Sequence, residues 1–327
     1  MKDLIADFTK HLRNAMEIGE SATIKKDSDK IRNVLVTGLG GSGIGGTIIG
    51  TLIEKELNVP LLVNKDYFLP NWVNEHTLLV VCSYSGNTEE TLNALKIAEE
   101  KGAKIVAITS GGKLLDRALD RSYDHIKIPG GLPPRAAFGL SFPQLFYMLN
   151  GVGLISDSFK SKLQSSIDLL DKEEENIKAS AKALAGKLHN KIPIIYSSPM
   201  YEGTAVRFRQ QINENSKMLC WHHVVPEMNH NELVGWTTKN DDLAVVMFRS
   251  NDDFFRTEKR IEITKEIASK YTANINEVRA MGSDLIEQSF YLIHFGDWVS
   301  WYLSEIKAID ATEVNVIDYL KSELAKI

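Results

Sequence analysis

The chain has only two cysteines, Cys82 and Cys220, in 327 residues. Two are too few for a disulfide framework and point to a reducing compartment. Long apolar runs are missing as well. No stretch approaches the roughly eighteen residues of a membrane-spanning helix. The N-terminal MKDLIADFTKHLRNAMEIGE carries charges where a signal peptide would have a continuous apolar segment. The expected location is cytoplasmic, with no membrane partner. A basic excess is also absent. Net charge is −5, and both signs are spread along the chain. No nucleic acid is expected as a partner, and an anionic ligand must be held by local donors. What remains is an ordinary globular composition, 43% hydrophobic and 25% charged, at a length that fits two domains.

Apolar Leu4, Phe8, Leu12 and Met16 recur at helical spacing, so the chain is expected to begin with a helix. NVLVTG (33–38) reads as a buried strand, followed by a glycine-rich turn and a helix over 47–54. VPLLVN, TLLVVCS, AKIVAITS and DHIKIPG read as further strands. TEETLNALKIAEEKG reads as a helix ended by Gly102. This alternation predicts a parallel sheet covered on both faces. Residues 158–190 are charged and helical, a connector to a second unit. That unit restarts with KIPIIYSS and a helix over YEGTAVRFRQQINENSK. LAVVMFRS, a charged helix and TANINEVRA then repeat the order seen from TLLVVCS to AKIVAITS. The expected fold class is therefore α/β. It comprises two related doubly wound parallel-sheet units of flavodoxin-like type, three-layer αβα, joined by helices, over residues 1–155 and 156–327.

Two loops carry the chemistry. GLGGSGIGG (38–46) contains G-x-G-x-x-G twice, between a strand and a helix. That context suits a dinucleotide, with Asp66 as the ribose acid, and suits a phosphate equally well; a tight strand-to-helix turn is the plain alternative. The second loop is VVCSYSGNTEET (80–91). Asn87 with Glu90 is expected to form a capping box for the following helix. That cap leaves Ser83, Ser85 and Thr88 unexplained. Hydroxyls crowded at the end of a strand, ahead of a helix N-terminus, make a phosphate cradle that needs no lysine. In the second unit the corresponding turn is Arg249-Ser250-Asn251-Asp252-Asp253, whose acids would repel phosphate, so one anion site per chain is expected.

SYSGNTEET after a buried strand, with GGSG on the preceding strand's exit, resembles the sugar isomerase (SIS) domain. LPPRAAFG (132–139), QINENSK (211–217), PEMNHNELVGW (226–236) and VIDYLK (316–321) narrow the resemblance to the bifunctional phosphoglucose/phosphomannose isomerases, in order and over nearly the whole chain. The resemblance implies two SIS-type units with a phosphate held by Gly40, Gly41, Ser42, Ser83, Ser85 and Thr88. It implies Glu214 as the proton carrier between C1 and C2 of the sugar, and Arg135 as the cation that stabilises the enediolate. It implies His230, contributed across a homodimer interface, and Lys321 as the ring-opening groups. It also places a small hydroxyl residue, Thr312, where room is needed for the mannose epimer. The implied reaction interconverts glucose 6-phosphate and mannose 6-phosphate with fructose 6-phosphate, using neither metal nor cofactor. Read without the resemblance, Glu214 is a solvated helix-end acid, Arg135 a structural ion-pair partner and Lys321 a surface charge. His222 and His223 compete chemically with His230, and Lys307 and Lys326 with Lys321. Cys82 reads as a buried strand residue. A non-catalytic phosphosugar sensor, an isomerase of another (amino) sugar phosphate and an oxidoreductase using GLGGSG are the rival functions.

Overall fold

The structure is a computed structural model that describes residues 1–326. The first sheet is made by β1 (Asn33–Thr37), β2 (Leu61–Asn64), β3 (Thr77–Ser83), β4 (Lys104–Thr109) and β5 (Asp124–Lys127). All pairs are parallel, in the order β2-β1-β3-β4-β5. This is the doubly wound flavodoxin-type order. The second sheet is built from β6 (Ile192–Ser197), β7 (Trp221–Val224), β8 (Leu243–Arg249) and β9 (Ile275–Arg279). Its order, β7-β6-β8-β9, repeats the first four positions of the first sheet, again all parallel.

The helices are α1 (Lys2–Ala6), α2 (Phe8–Ser21), α3 (Gly40–Leu52), α4 (Glu89–Glu100), α5 (Gly112–Asp120), α6 (Phe138–Ser141) and α7 (Pro143–Val152), then α8 (Phe159–Leu188), α9 (Glu202–Ser216), α10 (Phe255–Ala268), α11 (Leu285–Ile306) and α12 (Asn315–Leu324). The two-residue period of the strands sorts their side chains between layers. Leu78, Val80 and Cys82 of β3 face inward, as do Ala244, Val246 and Phe248 of β8; all six belong to one apolar cluster. Leu79 and Val81 point outward to the α4–α5 side. Val245 and Met247 point outward to the α10 side. The two sheets thus share a continuous core, filled by α2, α3, α7, α8, α9 and α11. No helix of the described residues is long and apolar enough to cross a membrane.

Two expectations change here. The segment GGSGIGG is not a turn but the start of α3. Gly40 supplies a left-handed φ of +52 at its start, and the glycines after it are there for contact. A Cβ on Gly46 would lie 2.8 Å from Val36, one on Gly41 would lie 3.2 Å from Arg135 Cα, and one on Gly45 would lie 3.1 Å from Leu145. Secondly, CWHHVV (220–225), where the sequence suggests neither strand nor helix, supplies the edge strand β7.

Candidate active site

The hydroxyl cluster expected to hold a phosphate forms where β1 and β3 end. Ser83 closes β3 and is buried. Its Oγ lies 2.9 Å from Thr88 Oγ1 and accepts from the Gly86 N–H at 3.1 Å. Ser42, in the first turn of α3, accepts from the Tyr84 N–H at 3.0 Å, which ties α3 to the 83–88 loop. Because Ser42 Oγ is an acceptor in that bond, its own hydrogen is free to donate. Ser85 is exposed, and its Oγ accepts from the Asn87 N–H. Gly40 opens α3 with φ +52, and Gly41 follows it.

The capping box expected of Asn87 and Glu90 is not formed. Thr88 occupies the cap position of α4, and no side chain caps that helix. Asn87 instead donates to Ser85 O, and its Oδ1 accepts from the Lys113 N–H at the start of α5. Gly86, with φ +69, turns the chain so that Asn87 serves the neighbouring helix. The first turn of α4 therefore keeps unsatisfied N–H groups beside the Ser83 and Thr88 hydroxyls, an arrangement suited to an anion.

The same loop carries the site toward Arg135. Tyr84 OH donates to Pro129 O at 3.0 Å and accepts from the Leu132 N–H at 3.1 Å. The Pro133–Pro134 turn then lays Arg135 over Gly41. The Arg135 side chain is 4% exposed. Nε donates to Asn215 Oδ1 at 2.7 Å, Nη1 lies 3.3 Å from Glu214 Oε2, and Nη2 donates to the carbonyls of Ala311 and Thr312 at 2.7 and 3.0 Å. Burial lowers the guanidinium pKa, and the charges of Glu214, Asp310 and Glu313 act against that. A guanidinium stays cationic throughout the physiological range.

Glu214 sits in the last turn of α9 and borders a concavity of about 370 Å³, together with Lys217 and residues 313–317. Lys217 has φ +51, ends the helix, and donates to Glu214 O at 2.6 Å and Glu313 O at 2.7 Å. In a right-handed crossover α9 runs antiparallel to β6. Its C-terminal end therefore lies at the N-terminal edge of its own sheet, away from the edge where such sheets place ligands. Packing against α3 and α11 brings it to Arg135.

The structure thus brings Arg135, Glu214 and the backbone of Thr312 together, and joins Ser42, Ser83, Ser85 and Thr88 into one loop cluster beside them. It does not bring His230 or Lys321 to them. His230 ends an exposed 3-10 turn (Glu227–His230), and Lys321 lies on the exposed α12. Among the described residues no hydrogen bond or ion pair joins either side chain to Glu214 or Arg135. Asn215, Lys217 and Tyr84 were not assigned roles by sequence reasoning. Arg207, Gln211 and Asn215 did leave a signal, polar residues four apart on a buried helix face. His222 is half-buried on β7, and burial lowers it to about 4. Cys82 is pushed up to about 12 by burial, consistent with an inert thiol.

Comparisons with known proteins agree in kind. The model of the bacterial phospho-glucose isomerase C-terminal SIS domain matches residues 177–324, and the SIS domain model matches residues 29–126. A bifunctional phosphoglucose/phosphomannose isomerase of Caldicellulosiruptor bescii is 39% identical over 100% of this chain and 99% of its own length. The protein of the same name from Thermoplasma acidophilum is 38% identical over 90% of each chain. Among solved structures, the C-terminal domain of glucosamine-fructose-6-phosphate aminotransferase from Francisella tularensis superposes with a TM-score of 0.77. It is 15% identical and covers 95% of this chain and 97% of that one, a likeness of fold.

Proposed function

The chain belongs to the bifunctional phosphoglucose/phosphomannose isomerase family, and from that premise we propose that it interconverts glucose 6-phosphate and mannose 6-phosphate with fructose 6-phosphate. The observation that carries the proposal is the pairing of Arg135 with Glu214 at 3.3 Å, beside an uncapped helix N-terminus and a cluster of hydroxyls. Glu214 takes the C2 proton of the open-chain aldose, and the C1 carbonyl becomes the oxygen of an enediolate. The proton of the C2 hydroxyl passes to the C1 oxygen, and the same carboxyl returns its own proton to C1 to give the ketose. Arg135 stabilises the charge that develops on the oxygen; its donors are already fixed by Asn215 and the 311–312 carbonyls. Glucose and mannose 6-phosphates differ only at C2, which is planar in the enediolate. One site therefore serves both if the proton can return to either face. We assign to Thr312, whose carbonyl accepts from Arg135 Nη2, the small side chain that leaves room for that choice.

The phosphate binds Ser42, Ser83, Ser85, Thr88 and the N–H groups at Gly40, Gly41 and the start of α4. His230 and Lys321 act in ring opening, with His230 supplied by a second copy in a homodimer. Two features support the dimer: the exposure of His230, and the uncovered apolar face of α12, where Val316 is 83% and Leu320 57% exposed. The phosphate-binding unit comprises residues 1–155, and 156–327 supply the remaining catalytic groups.

A coupled assay with glucose 6-, mannose 6- and fructose 6-phosphates, with and without EDTA, tests the proposal. All three sugars turn over, with no loss to chelation. Activity on the glucose and fructose phosphates alone would remove the mannose half, and activity lost to EDTA would overturn the metal-free mechanism.

A further inference from the structure

Resting on that reading of Arg135, we propose that Ser300 of α11 is a positioning residue for the reaction. It sets the amide orientation of Asn215, which in turn presents an acceptor to the Arg135 guanidinium. Asn215 and Ser300 are both fully buried. Ser300 Oγ donates to the backbone carbonyl of Asp297 at 2.7 Å. A carbonyl can only accept, so the single hydroxyl hydrogen is committed there. Toward Asn215, at 2.9 Å, Ser300 can then only accept, which requires Nδ2 of the amide on that side. Oδ1 is left facing Arg135 Nε, a donor, at 2.7 Å. A flipped amide would set Nδ2 against Nε, donor against donor, in a buried place.

The base of this arrangement is rigid. Asp297 accepts from Arg207 Nη2 at 2.8 and 3.1 Å and from Gln211 Nε2 at 2.8 Å. The Arg207 guanidinium lies 4.0 Å from the centre of the Phe138 ring and reaches the Arg135 carbonyl at 3.3 Å. Arg135 is therefore held at its main chain and at Nε by contacts that both lead back to the Asp297–Ser300 turn of α11. Without the Nε anchor, its remaining fixed partners besides Glu214 are the carbonyls of Ala311 and Thr312, on the segment leading to α12. The Nη1 edge that faces Glu214 would lose its set direction. Transition-state stabilisation would fall, while ground-state binding through the phosphate would persist.

The test is a double-mutant cycle on the full-length protein with fructose 6-phosphate. Ser300→Ala lowers kcat about 10- to 100-fold, with KM within about twofold. Asn215→Asp offers an acceptor on either side and has no amide orientation to set. In that background Ser300→Ala changes kcat by less than about twofold. Inhibition supplies a second readout. Ser300→Ala weakens a five-carbon aldonate phosphate, whose carboxylate mimics the enediolate, by more than about tenfold and leaves a hexitol 6-phosphate, which has no carboxylate, unaffected. Ser300→Cys keeps the shape with a poor acceptor and replaces Ser300→Ala, with the same expectations, if the alanine variant does not fold. Equal losses of kcat in both Asn215 backgrounds, or equal weakening of the two inhibitors, would overturn the role of Ser300. A wild type that turns over no sugar phosphate would overturn the proposed function itself, and this inference with it.

Discussion

Gly43→Ala separates a packing role of the glycine-rich segment from a merely permissive one. A Cβ on Gly43 would lie 2.6 Å from the carbonyl carbon of Gly38 and closer still to its oxygen. Carbon atoms in contact sit about 3.5 Å apart or more, so α3 and the end of β1 must separate by about 0.9 Å. Both sides of the clash are backbone, and no rotamer relieves it. Overpacking of this kind costs about 1–3 kcal/mol. For a chain of this size that lowers the thermal midpoint by about 1.5–4.5 °C. The displaced first turn of α3 carries Ser42, whose hydroxyl is docked on the Tyr84 N–H. Losing one hydrogen bond to a charged phosphate, worth about 1.5–3 kcal/mol, raises KM for fructose 6-phosphate about 10- to 100-fold. Gly50→Ala is the control. Its Cβ would meet only the Leu61 Cδ2 atom, at 3.3 Å, and alanine in a helix interior gains about 0.8–1 kcal/mol. It therefore leaves KM unchanged and does not lower the midpoint. Calorimetry and steady-state kinetics on the two variants read both effects. A Gly43→Ala protein with the wild-type midpoint and KM would refute the steric account.

Glu214→Gln keeps the shape of the side chain and removes the proton carrier. kcat falls at least about 10²-fold, while binding of fructose 6-phosphate followed by titration calorimetry stays within about threefold. Burial pushes both thiols up to about 12. Cys82 and Cys220 therefore stay unreactive toward a chromogenic disulfide at pH 8 in the native protein, and both react in denaturant. His222 is lowered to about 4, first by burial and then by the charge of Arg209. Its folded pKa lies below its unfolded value, so between these two values the unfolded chain binds more protons and stability declines as pH falls. His222→Phe accordingly loses less of its thermal midpoint between pH 7 and pH 5 than the wild type does.

The strands were legible because parallel strands buried on both faces leave runs such as NVLVT and TLLVV, and the repeat was legible because both units use them in one order. Other elements left weaker traces. β7 is a short edge strand with two histidines. α7 and α11 are apolar around most of their surfaces, so they show no stripe to read. The glycines of α3 resembled a turn because close packing and left-handed freedom draw on the same residue. The site divides in the same way. Ser83, Ser85 and Thr88 lie within six residues and announce themselves. Arg135 and Asn215 are 80 residues apart, and no local pattern could pair them. The resemblance gave Arg135 and Glu214 each a role, but their pairing and the buried amide and hydroxyl behind them follow only from how α9 meets Arg135 and α11.

The two units also differ in a way that favours an anion in one of them and not the other. β3 and β8 hold equivalent places in their sheets, and each runs into a polar turn and a helix. After β3 the polar groups leave the helix uncapped, because Asn87 is spent on α5. After β8 the turn is closed on itself. The Ser250 N–H donates to Asp253 Oδ2, the Asp252 N–H donates to Ser250 Oγ, and Gln288 Nε2 donates to Asp252 Oδ2 at 2.6 Å. Arg249 is buried and held by Glu277, Glu262 and Glu258, and Arg279 is engaged with Asn251 Oδ1 at 2.6 Å. A phosphate there would meet carboxylates and no free cation of that turn. The difference between the units is thus one of satisfied against unsatisfied donors on the same scaffold. Removing carboxylates alone would not create a second site: Asp252→Asn with Asp253→Asn leaves Ser250 bonded to Gln288 at 2.9 Å. Equilibrium binding of fructose 6-phosphate to that double variant should therefore still give one site per chain. Two would show that charge, and not the closing of donors, keeps the second turn empty.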